Sequence, residues 1–307
     1  MKKQRITYAI AAFALASTFL VTSCKDDDDK KLPDIGGYGS SEEVASTNLV
    51  AYWPFEGNFT DTKQNLTGTN NGASFTTGVA GGQAYQGSGS SNVHFTNPGT
   101  LGSLQSFTIS VWIKEPAQPI NNTTGSYIAG QGAQGVFFMY DTSEWNLLNL
   151  NFEPHRNDTL RVKAGFNNTG APEWKAIVPE SLFPASIGNT WFHLVTSYDG
   201  ATSTYTIYKN GIAIEANSAW GKATSSKIWT NGDKTTPMGN ISFKTAPSGF
   251  VLGAFPQAVT PIINDKIGGA QPWSGNFQGA MDNLRIYNKA LSVSDIGALY
   301  ELELAGR

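Results

Sequence analysis

The chain has 307 residues, of which 15% are charged and 33 are glycine, and its formal net charge at pH 7 is −3. So few charges and so many glycines argue against coiled coils and favour short strands joined by many turns. The sequence has no Arg-rich run or basic patch, which argues against a nucleic-acid-binding function. Its single cysteine excludes an intrachain disulfide.

Residues 1–23 have the pattern of a secretory signal peptide. A basic start, KKQR, precedes an apolar stretch from Tyr8 to Val21, which is shorter than the roughly 20 residues of a membrane-spanning helix. The letters VTSC that end at Cys24 resemble a bacterial lipobox. We therefore predict that Cys24 is acylated and anchors the chain to a membrane without spanning it. An ordinary signal peptide followed by a chance cysteine is the alternative.

Residues 24–46 are expected to form a flexible tether. Lys25 is followed by four aspartates and two lysines, a run that resembles the surface-export signal of Bacteroidota lipoproteins. It predicts an outer-membrane, lipid-anchored protein exposed at the cell surface. A solvated charged linker or an engineered tag would look similar. Residues 32–46 are polar and rich in glycine and serine, which is typical of a flexible segment.

The body of the chain, residues 47–307, shows the alternation of β-strands. The segment FTISVWI from Phe107 to Ile113 alternates apolar and polar residues, and so does the block from Trp191 to Tyr198. That block is followed by Asp-Gly, a further strand and Asn-Gly, the turn signals of antiparallel hairpins. We predict an all-β fold, a two-sheet antiparallel sandwich.

The last 31 residues predict a closing strand and a short C-terminal helix. Period-2 alternation places Ala280, Asp282, Leu284 and Ile286 on one face of the strand, and the residues between them on the other. The segment from Leu49 to Phe55 is the expected partner strand.

Ser292 and Asp295 form a start signal for the helix. Ile296, Leu299 and Tyr300 give this helix one apolar face.

Four blocks of sequence, in the right order, carry a family resemblance: LVAYWPFEGNFTD, FTISVWIK, WFHLVTSYDGATSTYTIYKNG and FQGAMDNLRIYNKALSVSDIGALY. Together they resemble the bacterial LamG-like jelly rolls of the concanavalin A-like lectin/glucanase superfamily, over most of residues 47–303. The resemblance implies a jelly roll of two curved antiparallel sheets. Segments 115–190 and 213–275 are longer than such a core needs. We interpret them as long loop insertions, which either carry binding residues or merely decorate the fold.

The resemblance also implies a structural calcium ion near the meeting point of the first and last strands. Asp282 shares the predicted face of Leu284 and Ile286, and a carboxylate pointing inward is costly unless it is hydrogen-bonded or binds a metal. Glu56 and Asp61 on the opening segment are the other candidate ligands, with backbone carbonyls completing the coordination shell of Ca²⁺. The alternative is that Asp282 caps backbone N–H groups.

Catalytic motifs are not recognisable in the sequence. The glucanases of this superfamily carry an E-x-D-x-x-E strand, because one carboxyl must donate a proton while another attacks or activates water. Here the glutamates in the insertions, such as Glu153, occur singly, and the Gln-x-His strand of jelly-roll lyases is missing. His193 is predicted to be a packed sheet histidine. Glu153, His155 and Arg156 form the least explained group, so a glycoside hydrolase or polysaccharide lyase stays open as an alternative.

Tryptophan is the more informative residue type. Trp53, Trp112 and Trp191 lie in predicted strands and are expected to pack in the core or on a sheet face. Five others fall in the insertions and are the candidate ligand-binding residues: Trp145, Trp174, Trp220, Trp229 and Trp273.

A flat indole suits the apolar face of a sugar. We therefore predict a cell-surface lipoprotein that binds a carbohydrate polymer or a host or dietary glycan without catalysis, for capture or adhesion. A protein-binding or structural surface module is a further alternative.

Overall fold

The computed structural model describes most of the chain: residues 32–114, 132–155, 159–169, 180–184, 189–218, 221–230 and 234–307. The predictions for Cys24, Arg156, Trp174 and Trp220 lie outside these residues, as does the side chain of His155. Asp34–Arg307 forms one compact unit. Among the described residues, no helix is long and apolar enough to cross a membrane.

Two β-sheets build this unit. The described strands of the first sheet run in the spatial order β13-β12-β11-β6-β19-β4-β3, with β1 also pairing with β19 and β16 with β12. Their bounds are β1 Leu49–Trp53, β3 Ser74–Thr77, β4 Gln83–Gln86, β6 Phe107–Lys114, β11 Phe192–Asp199, β12 Thr204–Lys209, β13 Ile212–Ile214, β16 Ser226–Lys227 and β19 Ala280–Tyr287.

The second sheet has the described order β15-β14-β10-β9-β8-β7-β17-β5-β2. Its strands are β2 Thr69–Asn71, β5 Asn92–Phe95, β7 Ala133–Tyr140, β8 Leu148–His155, β9 Thr159–Phe166, β10 Glu180–Pro184, β14 Ala216–Ser218, β15 Gly221–Ala223, β17 Gly249–Leu252 and β18 Ser274–Asn276. Strand β18 pairs with β7 in parallel, while the other described pairs of both sheets are antiparallel. The predicted all-β two-sheet sandwich is confirmed.

The hydrophobic core lies between the sheets, as the alternation of β6 shows. Phe107, Ile109 and Val111 are fully buried in the main core cluster, whereas the intervening Ser110 and Trp112 face away from it. Short 3-10 helices punctuate the loops at Ser41–Glu43, Ser46–Asn48, Gly99–Ser103 and Pro256–Ala258.

The predicted Asn-Gly hairpin is confirmed. Asn210 and Gly211 have φ values of 50° and 77°, and they connect β12 to β13 with Lys209 paired to Ile212. A two-residue turn with positive φ at both positions matches the right-handed twist of the flanking strands, and Asn followed by Gly tolerates that conformation.

The predicted closure of the sandwich is also confirmed. Strand β1 pairs antiparallel with β19, with Trp53 opposite Leu284. The helix α1, Val293–Leu304, begins with the expected capping box, in which Ser292 and Asp295 bond each other's backbone N–H groups.

The predicted faces of β19 are partly wrong, because the strand contains a bulge. The pairing with β6 shifts register between Asp282 and Arg285, and Asn283 has a φ of 48°. One extra residue in a strand reverses the alternation beyond it. Met281, Leu284 and Ile286 consequently face the core, so Asp282 does not share a face with Leu284.

The compact unit begins earlier than predicted. Val44 is fully buried in a cluster with the α1 residues Ile296 and Leu299, and the Tyr38 hydroxyl donates to Asp295 at 2.8 Å. Residues 34–46 are therefore part of the folded unit, whereas the tether was predicted to extend to residue 46. Their apolar residues pack against a helix that the sequence places more than 250 positions away.

The insertion 115–190 is not simply a loop, since it supplies the strands β7 to β10. In the segment LNLNFE, Leu148, Leu150 and Phe152 are buried in the core, while the residues between them point outward. This alternation is a strand signal that the loop interpretation missed.

Candidate functional site

A cleft of about 320 Å³ opens on the outer face of the second sheet. We call it the cleft, and its lining falls into an aromatic part and a polar part. The lining residues are Ala133, Phe138, Trp145, Asn146, Asn149, Asn151, Glu153, Lys163, Phe255 and Trp273. Its size lies at the lower end of the range typical of ligand pockets.

Four aromatic side chains, Phe138, Trp145, Phe255 and Trp273, form what we call the aromatic corner. The rings of Phe138 and Phe255 lie 4.3 Å apart, and both side chains are buried. The half-buried rings of Trp145 and Trp273 meet at a centroid distance of 5.7 Å with a 48° angle between their planes. Two predicted ligand-binding tryptophans, 128 positions apart, therefore converge on one cleft.

Local structure positions both tryptophans of the aromatic corner. Trp145 sits in the turn between β7 and β8, which the Asp141 carboxylate closes by accepting the backbone N–H groups of Ser143 at 2.6 Å and Glu144. Burial acts to raise the pKa of Asp141, but hydrogen bonds outweigh it and lower that pKa. Trp273 is held because its carbonyl accepts the N–H of Ala133 at 2.8 Å.

The polar part of the cleft comes from the outward face of β8 and β9. Asn149 and Asn151, which we call the amide pair, are buried, and the Nδ2 of Asn149 donates to the Oδ1 of Asn151 at 3.0 Å. Glu153 follows on the same face, where Lys163 Nζ approaches its carboxylate at 2.9 Å and an Arg161 nitrogen approaches it at 3.4 Å. These groups can donate to and accept from the hydroxyls of a ligand.

Three other tryptophans lie outside the cleft. Trp229 is half-buried beside Pro237, with Lys227 Nζ 5.2 Å from its ring centroid, and it does not line the cleft. Trp53 and Trp112 are buried, as predicted. Sequence reasoning missed Phe138, Phe255 and the amide pair, although the LNLNFE alternation was a signal that Asn149 and Asn151 lie on the strand face opposite the core.

Glu153 is the only carboxylate among the described residues that line the cleft. Glycosidases that use two carboxylates place them roughly 5–10 Å apart across the scissile bond. The described lining therefore provides groups for binding a sugar, but no such pair. The packed histidine prediction is confirmed: His193 is fully buried, with its Nε2 2.7 Å from the Ser110 hydroxyl.

The three predicted calcium ligands do not come together. Asp61 is fully buried, and its carboxylate accepts the backbone N–H groups of Tyr52 at 2.6 Å, Lys63 at 3.1 Å and Gln64 at 2.6 Å. It serves as the cap of its own turn. No group of three or more His, Cys, Asp or Glu side chains with metal-binding geometry occurs in the described part of the chain.

Glu56 and Asp282 do line one polar pocket, with a volume of about 260 Å³, from which Asp61 is absent. The two oxygens of Asp282 accept the N–H groups of Val79 and Asn283 at 2.9 and 2.8 Å. Burial raises the pKa of Asp282 to about 7. These bonds fit the capping alternative. Calcium at Glu56 and Asp282 stays a prediction, with Asp61 outside the set that fits.

No protein-family model and no curated protein matches the sequence. Solved structures match in fold. The binding domain of botulinum neurotoxin serotype D has a TM-score of 0.50 at 14% identity, with 83% of this chain and 51% of that chain covered. The sialidase of Trypanosoma rangeli has a TM-score of 0.50 at 14% identity, with coverages of 84% and 33%.

Domain 4 of an extracellular arabinanase from Geobacillus stearothermophilus, solved with arabinotriose, has a TM-score of 0.48 at 19% identity, with 82% of this chain and 98% of that chain covered. The chain thus spans about half of the toxin binding domain and a third of the sialidase. The likeness to the toxin binding domain and the sialidase, at 14% identity, shows the β-sandwich fold.

Proposed function

We propose that this protein binds glycans, without catalysis, in the cleft on its second sheet. The observation that carries the proposal is the meeting of Trp145 and Trp273 above a floor of buried amides. Indole faces cover the C–H groups of a sugar, and the amides together with Glu153 and Lys163 bond its hydroxyls. The LamG-like sequence resemblance supports the same class of function.

A glycan array followed by affinity electrophoresis tests the proposal. We expect retention by at least one polysaccharide, and weakening by about tenfold or more in Trp145→Ala and Trp273→Ala, because truncating a central aromatic anchor typically costs about 2 kcal/mol or more. Trp229→Ala is the matched control and should bind normally. Retention by no glycan, or equal losses in all three variants, would refute the site.

The same experiment separates binding from hydrolysis. Glycans recovered after long incubation should be unchanged in length with both the wild type and Glu153→Gln, and the variant should differ from the wild type only in retention. Release of shortened or unsaturated products, lost in Glu153→Gln, would instead identify the protein as a hydrolase or lyase. Capture of a protein partner, with no glycan retained, would favour the surface-module alternative.

The proposed location follows from the sequence alone. We propose that Cys24 carries the lipid anchor and that the acidic run after it directs the protein to the outer face of the outer membrane. Metabolic labelling with a fatty acid should mark the wild-type protein, and Cys24→Ala should lose both label and membrane association. A labelled Cys24→Ala protein would contradict the anchor.

A further inference from the structure

The aromatic corner is concave, which distinguishes it from a flat sugar-stacking platform. The planes of Trp145 and Trp273 are inclined by 48°, and Phe255 stands at 85° to Trp273. Phe138 and Phe255 are 1% and 3% exposed, so the inner end of the corner is closed by apolar atoms. A flat pyranose face cannot contact both indoles at once. A small convex apolar group, such as a methyl, fits between the two inclined indoles.

The amide pair beside the corner offers a complementary polar pattern. The bond from Asn149 to Asn151 uses one donor and one acceptor. Asn149 Oδ1 and Asn151 Nδ2 have no hydrogen-bond partner among the described residues. Exchanging the oxygen and nitrogen positions of both amides again leaves one amide nitrogen and one amide oxygen unbonded, so the pattern does not depend on how they are oriented. A secondary amide of a ligand has one N–H and one C=O to match them.

We propose that the cleft selects sugars that carry an acetamido group, with the methyl in the aromatic corner and the amide bonded to Asn149 and Asn151. The proposal rests on the proposed glycan-binding function and names the ligand class of that site. Both features line one cavity, and an acetamido group joins a methyl to an amide in the same compact unit. A plain hydroxyl can bond the asparagines but leaves the corner unfilled.

The charges around the cleft argue against the deacetylated form of such sugars. A free amino sugar is cationic, and Glu153 is the carboxylate that would receive it. That carboxylate already has Lys163 at 2.9 Å and Arg161 at 3.4 Å. A further cation would meet two existing positive charges, whereas the neutral acetamido group does not.

Matched ligand pairs measured by titration calorimetry on the full chain test the proposal. N-acetylated chitotriose and cellotriose share one backbone and differ in the 2-acetamido group against a 2-hydroxyl. 3′-Sialyllactose and its 5-hydroxy analogue make the same comparison on a sialic acid. We expect at least one pair to show a preference of about tenfold for the acetamido member, which corresponds to about 1.4 kcal/mol. The pair that shows this preference tells whether the acetamido group belongs to a 2-acetamido sugar or to a sialic acid.

Variants of cleft residues test whether the preference for the acetamido member arises in the cleft. Trp273→Ala and Asn151→Leu should reduce the ratio within a pair towards one, whereas Trp229→Ala should preserve it. Equal affinity within both pairs, or binding of neither pair, overturns the acetamido proposal. If another glycan then binds and Trp145→Ala weakens its binding, the proposed glycan-binding function stands without the acetamido proposal. If no glycan binds at all, both proposals fail.

Discussion

The outer faces of the two sheets differ in how far they are covered. On the first sheet, α1 lies across the outer face, and its Ile296, Leu299 and Leu302 pack with Val195 and Tyr287 of the sheet in one buried cluster. On the second sheet, the segment that follows β17 packs only over part of the face, where Val259 and Ile267 contact Tyr140 and Val251. The neighbouring strands β8 and β9 supply the polar side chains that line the cleft.

An ion pair between Arg285 and Glu303 is buried under α1. Glu303 is 3% exposed, and its carboxylate accepts the Arg285 Nε at 2.7 Å and the Trp112 Nε1 at 2.8 Å. Arg285 donates in addition to the Ser41 hydroxyl at 3.0 Å, and its guanidinium lies 3.8 Å from the ring centroid of Tyr52.

In the cleft, by contrast, the polar residues are a neutral amide pair and the group formed by Glu153, Lys163 and Arg161. The first sheet therefore buries its ion pair under a helix, whereas polar groups of the second sheet line a cavity.

Substitutions on the covered face of the first sheet should lower the free energy of unfolding more than substitutions in the cleft. Glu303→Gln tests this most directly. The change leaves the buried Arg285 charge without its counter-charge, and removing one partner of a buried ion pair typically costs about 3–5 kcal/mol. We expect the midpoint of urea unfolding to fall accordingly. Glu301→Gln, on the exposed side of the same helix, is the control and should change the free energy of unfolding by less than about 0.5 kcal/mol.

A pH series tests the covered face a second time. Burial, and then the nearby Arg285, lower the pKa of His193 to about 3. A histidine with a depressed folded-state pKa contributes stability above its unfolded pKa of about 6.5 and loses it as the pH falls. Between pH 6.5 and 4.5 we expect His193 to account for about 2–3 kcal/mol of lost stability. The loss should be smaller by that amount in His193→Gln, and identical slopes in both proteins would contradict the assignment.

Local patterns in the sequence were sufficient to predict the framework. The alternation of β6, the Asn-Gly turn and the Ser292 capping box each depend on residues within one turn or strand, which is why they could be predicted. Glu303 was missed, yet it lies seven positions after Ile296 and so shares the predicted apolar face of α1. A charged residue in that position was a signal of a buried ion pair.

The parts that could not be predicted depend on long-range topology. The bulge at Asn283 depends on its pairing with β6, and a strict period-2 pattern misplaced Asp282 as a result. The convergence of Trp145 and Trp273 requires the parallel pairing of β18 with β7, which brings the two segments together. The tryptophans could therefore be chosen as candidates from the sequence, but their common cleft could not.

The open face should tolerate changes that the covered face does not. We expect Asn149→Ala to lower the free energy of unfolding by about 1 kcal/mol, because it removes one neutral hydrogen bond, the one to Asn151. The same variant should weaken retention of the bound glycan in affinity gels. If it unfolds the protein, or leaves retention unchanged, the contrast between the two faces is wrong at this position.

Asp282 lines the polar pocket beside Glu303 on the covered face and should show the smallest effect. Because its folded-state pKa is raised to about 7, it contributes stability at acidic pH that is lost as the pH rises towards that value. In the presence of EGTA, the wild type should therefore lose about 1 kcal/mol relative to Asp282→Asn between pH 6 and pH 8.

Millimolar calcium separates the two roles that the sequence left open for Asp282. If Ca²⁺ binds between Glu56 and Asp282, it stabilises the ionised carboxylate, so the melting temperature of the wild type should rise at pH 8 while that of Asp282→Asn should not. Asp61→Asn should lower stability, because it weakens three bonds to backbone N–H groups, but it should keep the calcium response, since Asp61 does not line that pocket. A wild type that ignores calcium leaves Asp282 as a cap on Val79 and Asn283, with the bulge at Asn283 as the reason for its position.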